Sequence, residues 1–377
     1  MWSRKLISHK DQVAGVYGLL SLLLLSACSD ADEPENIITY FDHINPNKER
    51  IHHINLDRAQ KDTTIFATRE NILGYTHEDS GSPFVTISSI QGFGDSIYVA
   101  GMDPAMIYVL DEDGHKNRTI SRRGSGPGEF YRVASMSSQN DQLKILSGEG
   151  KLISFDHQLQ FKTEVTLEGV STPPFATKYS FDQNHVFAPL YDQTQKLVGQ
   201  VDQRTGEVVD SLITPINTSK HHLPNAYNDV LISNNVNGDI VFGFSGFGIL
   251  KKYRKGKRDH LIELHSSLFE EITPELNGIA DDVDPEGVVP SLIQALHLRE
   301  NGDIVVATRS NYLFYLQKYK NDYKITGRFQ LKKYEGDPTA PQAMALNSII
   351  ISEHDNYLYF SGPMMDYPYR FPVSLFK

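Results

Sequence analysis

Cysteine and tryptophan are almost absent from this sequence: its 377 residues contain one of each, Cys28 and Trp2. A single thiol excludes an intramolecular disulfide, a zinc site built from cysteines and a cysteine-bound iron–sulfur cluster. The fold must therefore be stabilised by an ordinary hydrophobic core, and a chain of this length is long enough to build one.

Positive charge is also scarce. The chain has 36 Lys and Arg against 47 Asp and Glu, which gives a formal net charge of −11. Without residues 1–27 the formal charge becomes −13. A surface of this sign repels the phosphate backbone, so nucleic acid is not expected as a partner.

Long apolar runs are missing except at residues 13–25, which follow the basic residues Arg4, Lys5 and Lys10 and lead to Leu25-Ser26-Ala27-Cys28. The run is shorter than the roughly 20 residues that a transmembrane helix needs. It is typical of a lipoprotein signal peptide. We expect cleavage after residue 27 and a diacylglycerol anchor on Cys28, which would hold the protein at a membrane.

The segment after Cys28 is acidic and polar, with Pro34 between Glu33 and Glu35. Such a composition predicts a solvated tether, which we extend with an irregular arm over residues 28–60. The acidic run resembles the signal of surface-exposed lipoproteins in Bacteroidota, and a plain linker is the alternative. The expected location is the outer membrane, on its periplasmic side or on the cell surface.

Beyond residue 60 there is no long amphipathic helix pattern. Short β-branched and aromatic runs alternate with Gly, Asn, Asp and Pro, which indicates an all-β chain. The pentapeptide Asn-Gly-Asp-Ile-Val occurs at residues 237–241 and again at 301–305. Asn-Gly between two extended runs predicts a hairpin with a type I′ turn.

Weaker copies of the same pattern give six repeats, with turn residues 44 to 64 positions apart: Asp95, Asn140, Asn184, Asn237, Asn301 and Asp355. This period is typical of propeller blades. We therefore predict a six-bladed β-propeller with four-stranded blades over residues 61–377; a pair of β-sandwiches is the alternative. Residues 63–68 are expected to supply a strand to the last blade, because an unclosed ring would expose an edge.

Residues 122–130 read Arg-Arg-Gly-Ser-Gly-Pro-Gly-Glu-Phe and lie between the first two repeats. Their glycines and proline predict a tight blade-to-blade connection that ends with Phe130 in the core. The motif resembles the inter-blade loop of NHL-type propellers. Together with the lipobox and the tether, the chain resembles the TolB-like or NHL-like six-bladed propeller lipoproteins of Bacteroidota. Arg122, Arg123 and Glu129 are candidates for contact with a ligand or partner.

Two insertions hold further candidates. His221 and His222 are a possible ligand-binding pair, with plain loop residues as the alternative. Asp281, Asp282, Asp284 and Glu286 place four carboxylates close together and form a weak Ca²⁺ candidate without the alternate-residue spacing of an EF-hand. The basic run at residues 251–258 is either a solvated turn or a contact for anionic lipid headgroups.

No metalloprotease motif or nucleophile elbow is present in the sequence. We therefore predict a non-enzymatic binding or scaffold protein, monomeric and without a cofactor, that recognises a peptide, a protein or a glycan. A hydrolase or lyase acting on a glycan or lactone at the central channel is the alternative. The expected innermost strands, near residues 87–90, 133–136 and 292–296, are apolar and rich in Ser and Ala, which favours binding. Three or more His, Asp, Glu or Arg side chains meeting at one channel mouth would favour the enzyme.

Overall fold

The computed structural model describes most of the chain from residue 51 to residue 376. The gaps are residues 75–83, 85, 103–104, 121, 140, 174–177, 192–195, 216–228, 255–256, 271–290, 310, 335–340, 345–348, 363–364 and 366. The predicted signal peptide, Cys28 and the acidic tether lie outside the described residues. Among the residues described, no helix is long and apolar enough to cross a membrane.

Blades 1 to 3 are antiparallel sheets of four consecutive strands, each ordered from the central channel outwards. Blade 1 contains Ile87–Phe93, Ser96–Gly101, Met106–Leu110 and Lys116–Ile120. Blade 2 contains Val133–Gln139, Gln142–Ser147, Lys151–Asp156 and Phe161–Thr166. Blade 3 contains Ser180–Phe181, His185–Pro189, Val198–Asp202 and Val208–Leu212.

Blades 4 to 6 complete the ring but differ in strand number. Blade 4 contains Val230–Asn234, Asp239–Phe244, Ile249–Arg254 and Lys257–His265. Blade 5 contains Ile293–Leu298, Ile304–Thr308, Tyr312–Tyr319, Asp322–Tyr334 and the short Pro341–Ala343. Blade 6 contains Ile350–His354, Tyr357–Ser361 and Tyr369–Pro372. The all-β, six-bladed prediction is confirmed, whereas blade 6 has three named strands in the described part of the chain instead of four.

The N-terminal strands pair differently from the prediction. Lys61–Phe66 lies parallel to Asp322–Tyr334 on the outer edge of blade 5, so the expected pairing of residues 63–68 with the last blade is wrong. Ile51–Asn55 lies parallel to Lys257–His265 of blade 4, so the propeller begins before the predicted boundary at residue 61. The chain then reaches blade 6, where Ile72 forms an isolated β-bridge with Tyr369.

Helical segments in the described residues are short. They are the 3₁₀ turns Leu56–Arg58, Arg69–Asn71 and Val373–Phe376 and the one-turn α-helix Ser267–Glu270.

The hairpins predicted from the repeated pentapeptide are present, but their turn type is different. Gly238 and Gly302 have φ angles of +78° and +89°, whereas Asn237 and Asn301 do not have positive φ. The N–H of Gly238 donates to the carbonyl of Asn235, as in a type I turn followed by a glycine in the left-handed region. Both central residues have positive φ in the turn of blade 6, at Asp355 and Asn356.

The core consists of six hydrophobic clusters, one at each interface between neighbouring blades. The cluster between the last and first blades joins Ile350 and Tyr359 to Ile87 and Val99, with the fully buried Leu73 beside them. Six interfaces with six cores mean that the ring is closed by packing, which leaves the innermost strands facing a central channel.

Candidate ligand-binding channel

A cavity of about 760 Å³ lies on the axis of the propeller and is lined by residues from the innermost strand of every blade. Residues 182–184, 235–238 and Glu300, from the hairpins that follow three of these strands, also contribute to the wall. This volume is within the range of small-molecule and peptide pockets. The architecture therefore provides one axial site to which all six blades contribute.

The serines of the innermost strands have a structural role. The hydroxyl of Ser89 in blade 1 accepts the N–H of Met136 in blade 2 at 3.0 Å. The hydroxyl of Ser233 in blade 4 accepts the N–H of Leu298 in blade 5 at 2.9 Å. An innermost strand has a free backbone edge, and these hydroxyls satisfy buried donors on it. Serine is suited to these positions because its small side chain fits beside the channel and its hydroxyl accepts a backbone N–H of the neighbouring blade.

Side-chain amides continue the polar wall. Gln91 Nε2 donates to Ser138 Oγ at 3.0 Å, and Gln139 Nε2 donates to the carbonyl of Phe181 at 2.7 Å. The other amide atom, Gln139 Oε1, is buried and has no hydrogen-bond partner among the residues that the structure describes. A buried acceptor of this kind favours a donor from a ligand or a water molecule.

A charged cluster interrupts this neutral wall where blade 5 meets blade 6. His297 Nε2 lies 3.2 Å from Glu353 Oε2, and Arg299 Nε lies 3.1 and 3.0 Å from the two oxygens of the same carboxylate. Arg299 also donates to the hydroxyl of Tyr315 at 2.6 Å, and that hydroxyl donates to Asp303 at 2.6 Å. His297 and Glu353 therefore meet on the channel wall, and the buried Arg299 binds the same carboxylate.

The electrostatics of the cluster limit what Glu353 can do. Burial raises the pKa of Glu353, but hydrogen bonds from His297 and Arg299 and the charges of both groups outweigh it and lower the pKa to about 2. The carboxylate is therefore ionised at neutral pH and cannot act as a general acid there. It can orient His297, in the way that a carboxylate fixes the tautomer of an imidazole.

The sequence-predicted loop residues are not part of the channel. Arg122 donates to the carbonyl of Leu159 at 3.2 Å and lies over the ring of Phe155. Glu129 Oε2 accepts the N–H of Gly126 at 2.9 Å, while Arg123 is exposed. Phe130 is 1% exposed, as expected for a connection that returns to the core. Two of the three polar candidates are therefore engaged in holding the inter-blade loop.

The basic run of blade 4 is only partly available to a membrane. Lys252 is fully buried, and its Nζ lies 3.0 Å from Asp239 Oδ2. Arg254 Nη2 lies 2.9 Å from Asp259 Oδ2. These ion pairs compensate much of the positive charge from within the blade, which weakens the lipid-headgroup interpretation. His221, His222 and the acidic residues Asp281, Asp282, Asp284 and Glu286 lie outside the described residues.

Sequence reasoning missed His297, Arg299 and Glu353 as a group. Glu353 is 54 positions from Arg299 in the chain, so no local motif joins them. The available signal was their position in the sequence. Arg299 lies just before the predicted hairpin turn Asn301-Gly302, and Glu353 lies just before the turn at Asp355-Asn356. Equivalent hairpins lie at the same end of the channel, so charged residues beside them were candidates to meet.

Comparison with known proteins supports the fold. The model of the family DUF5128, described as a 6-bladed beta-propeller, matches residues 45–226, just under half of the chain. No curated protein matches the sequence.

Three solved structures that are similar to this chain share little sequence with it. A Bacteroides fragilis protein described as exported shares 12% identity with a TM-score of 0.44, over 87% of this chain and 81% of that one. The WD40 repeats of RRP9 share 13% identity with a TM-score of 0.46, over 81% and 98%. An inactive virginiamycin B lyase from Staphylococcus aureus, solved with quinupristin, shares 11% identity with a TM-score of 0.43, over 79% and 97%.

Proposed function

We propose that this protein is an envelope lipoprotein, anchored through Cys28, whose propeller binds a peptide or glycan segment at the hairpin end of the central channel. The observation that carries the proposal is the composition of the wall: side-chain hydroxyls and amides from five of the six blades converge on one cavity of about 760 Å³. Neutral donors and acceptors of this kind suit the hydroxyls of a sugar or the amides of a peptide.

The wall has hydrogen-bonding capacity that the fold does not use. Ser137 lines the channel, and its hydroxyl takes part in no hydrogen bond with the rest of the described chain. Gln139 Oε1 is the buried acceptor described above. Both belong to the innermost strand of blade 2, Val133–Gln139, which makes this strand the expected contact surface.

Binding can be tested by calorimetric titration of the purified full-length protein, in detergent, with panels of oligosaccharides and peptides. Ser137→Trp should fill the channel and abolish binding, whereas Arg123→Ala, on the exposed inter-blade loop, should leave it unchanged. Equal affinity in the wild type and Ser137→Trp would contradict a channel site. Loss of affinity in Arg123→Ala alone would move the site to the inter-blade loop.

The proposed anchor and location have their own test. Radiolabelled fatty acid should be incorporated by the wild type and not by Cys28→Ser, which would also leave the membrane fraction. Protease treatment of intact cells would then distinguish the two faces of the outer membrane, since only a surface-exposed protein would be cleaved. Incorporation of label by Cys28→Ser would contradict lipidation at this residue.

The His297–Glu353 pair favours a second candidate, a hydrolase or lyase acting on a glycan or lactone. In that case His297 would accept a proton, and Glu353, held ionised by Arg299, would position the ring. Mass spectrometry of a bound ligand after incubation would show turnover by the wild type and none by His297→Ala. Recovery of an intact ligand after incubation with the wild type would contradict the enzyme and support the binding function only.

A further inference from the structure

Two histidines and a carboxylate lie close together on the outer edge of blade 4, at the opposite side of the sheet from the innermost strand that lines the channel. His53 belongs to the N-terminal strand Ile51–Asn55, and Glu263 and His265 belong to Lys257–His265. The parallel register places His53 opposite Glu263. Because side chains alternate along a strand, His265 lies on the same face as Glu263. Two distant parts of the sequence thus bring three potential metal ligands together.

The ligand atoms lie close to one another. Glu263 Oε2 is 2.5 Å from His53 Nδ1 and 2.8 Å from His265 Nε2. The two imidazole nitrogens are 3.4 Å apart, and the rings are tilted by 34°. All three potential ligand atoms therefore lie within 4.8 Å of one another.

This arrangement matches the ligand geometry of zinc. Two nitrogens, each about 2.0–2.1 Å from a tetrahedral Zn²⁺, lie about 3.3 Å from each other. The His53–His265 separation of 3.4 Å already has this value. The carboxylate oxygen would have to withdraw by roughly 0.5 Å from His265 Nε2 and roughly 0.8 Å from His53 Nδ1 to reach the same spacing.

Burial and exposure are also appropriate for a metal site. The Glu263 side chain is 6% exposed, whereas those of His53 and His265 are 61% and 46% exposed. The buried carboxylate supplies a negative charge at low dielectric, which strengthens its attraction for a cation. The exposed side leaves a path for the ion and room for water as a fourth ligand.

We propose that His53, Glu263 and His265 bind one Zn²⁺ ion, which fastens the N-terminal strand to the outer edge of blade 4. Imidazole nitrogen and carboxylate oxygen are ligands that Zn²⁺ accepts readily. The N-terminal strand pairs with the outer edge of blade 4, so an ion shared by both strands would stabilise their pairing. This site is independent of the channel and of any ligand bound there.

The test is a calorimetric titration of the purified full-length protein, first stripped with EDTA, with zinc chloride. We expect one ion per chain at this site and an increase in the thermal midpoint on adding Zn²⁺. Loss of a residue that hydrogen-bonds to a metal ligand typically weakens metal binding by about 10- to 100-fold. Removal of a ligand itself should therefore weaken Zn²⁺ binding by at least about tenfold. His53→Ala and His265→Ala should both show this loss, and Glu263→Gln should show it without a large change of shape.

The matched control is His115→Ala, which removes an exposed histidine of blade 1 that lies 3.7 Å from Asp111. It should bind Zn²⁺ as the wild type does. Hydrogen exchange of residues 51–55 gives a second measurement: Zn²⁺ should slow exchange in the wild type and not in His265→Ala. Absence of binding in the wild type, or wild-type affinity in all three ligand variants, would overturn the proposal, because the cluster would then hold only hydrogen bonds.

Discussion

Arg299 donates hydrogen bonds to both carboxylate oxygens of Glu353, from its Nε at 3.1 and 3.0 Å. Arg299 follows the innermost strand of blade 5, and Glu353 belongs to the innermost strand of blade 6. The pair therefore joins two blades beside the channel. Both side chains are largely buried, at 8% and 15% exposure, so solvent screens their interaction weakly.

Arg299→Ala should destabilise the protein strongly. It leaves the carboxylate of Glu353 buried without its guanidinium partner and removes the donor to Tyr315. Breaking a buried pair from one side typically costs about 3–5 kcal/mol. Urea denaturation should show this loss in the free energy of unfolding.

The control for that change is Arg204→Ala, in which the lost side chain is 85% exposed and contacts Asp202 of the same turn. A surface pair of this kind contributes at most about 1 kcal/mol. Similar losses in the two variants would mean that the Arg299–Glu353 pair does not stabilise the ring.

Glu353 should also make stability depend on pH in the acid range. Its pKa is about 2 in the folded state against an ordinary value of 4.5, because hydrogen bonds and charges from His297 and Arg299 outweigh the effect of burial. A carboxyl with a lowered pKa stabilises the fold above its unfolded pKa, and this contribution is lost as the pH falls.

We therefore expect the wild type to lose stability between about pH 4.5 and pH 2 more steeply than Glu353→Gln, which has no carboxyl to protonate. The difference should approach about 3 kcal/mol over this window. The measurement is the free energy of unfolding in denaturant at a series of pH values. Parallel pH profiles for the two proteins would contradict the lowered pKa.

The turn residues made the blades predictable, because each hairpin is encoded within a few neighbouring positions. Asn237-Gly238 and Asn301-Gly302 marked two hairpins correctly even though their turn type was wrong. The inter-blade loop ending at Phe130 was also predictable, since glycine and proline restrict the backbone locally. Local signals of this kind define the number of blades and their order.

Contacts between distant segments were not predictable in the same way. Nothing in residues 61–66 distinguishes the edge of blade 5 from that of blade 6, since any exposed strand edge offers the same backbone groups. The pairing of Glu353 with Arg299 and the meeting of His53 with Glu263 depend on how the ring curves. No repeating pattern in a single sequence predicts these two long-range contacts.

Glycine is required at Gly206 for two reasons. Its φ angle is +80°, and a Cβ atom there would lie 2.0 Å from the carbonyl oxygen of Thr166 in blade 2. Because the obstructing atom belongs to the backbone, Gly206→Ala should destabilise by more than about 3 kcal/mol.

Gly238→Ala is the matched comparison, with a φ of +78° and no atom within 4 Å of the added Cβ. It should cost only the backbone strain, about 1–2 kcal/mol. Thermal unfolding of both variants separates the two contributions. An equal loss would show that blades 2 and 3 can move apart without cost at this point.

Ser233 should be important for stability and Ser137 should not, although both line the channel. Ser233 Oγ accepts the buried N–H of Leu298 across the interface of blades 4 and 5, and Ser233→Ala leaves that donor without a partner. An unsatisfied buried donor costs about 1–3 kcal/mol.

Ser137→Ala removes a hydroxyl that makes no hydrogen bond with the described residues, so its unfolding free energy should stay within about 0.5 kcal/mol of the wild type. The two variants have the same chemistry and the same channel, and only the position differs. Denaturant unfolding measures stability, and titration with a channel ligand measures binding. Ser137→Ala should weaken binding and leave the free energy of unfolding unchanged. A Ser233→Ala protein as stable as the wild type would contradict a structural role for Ser233 between blades 4 and 5.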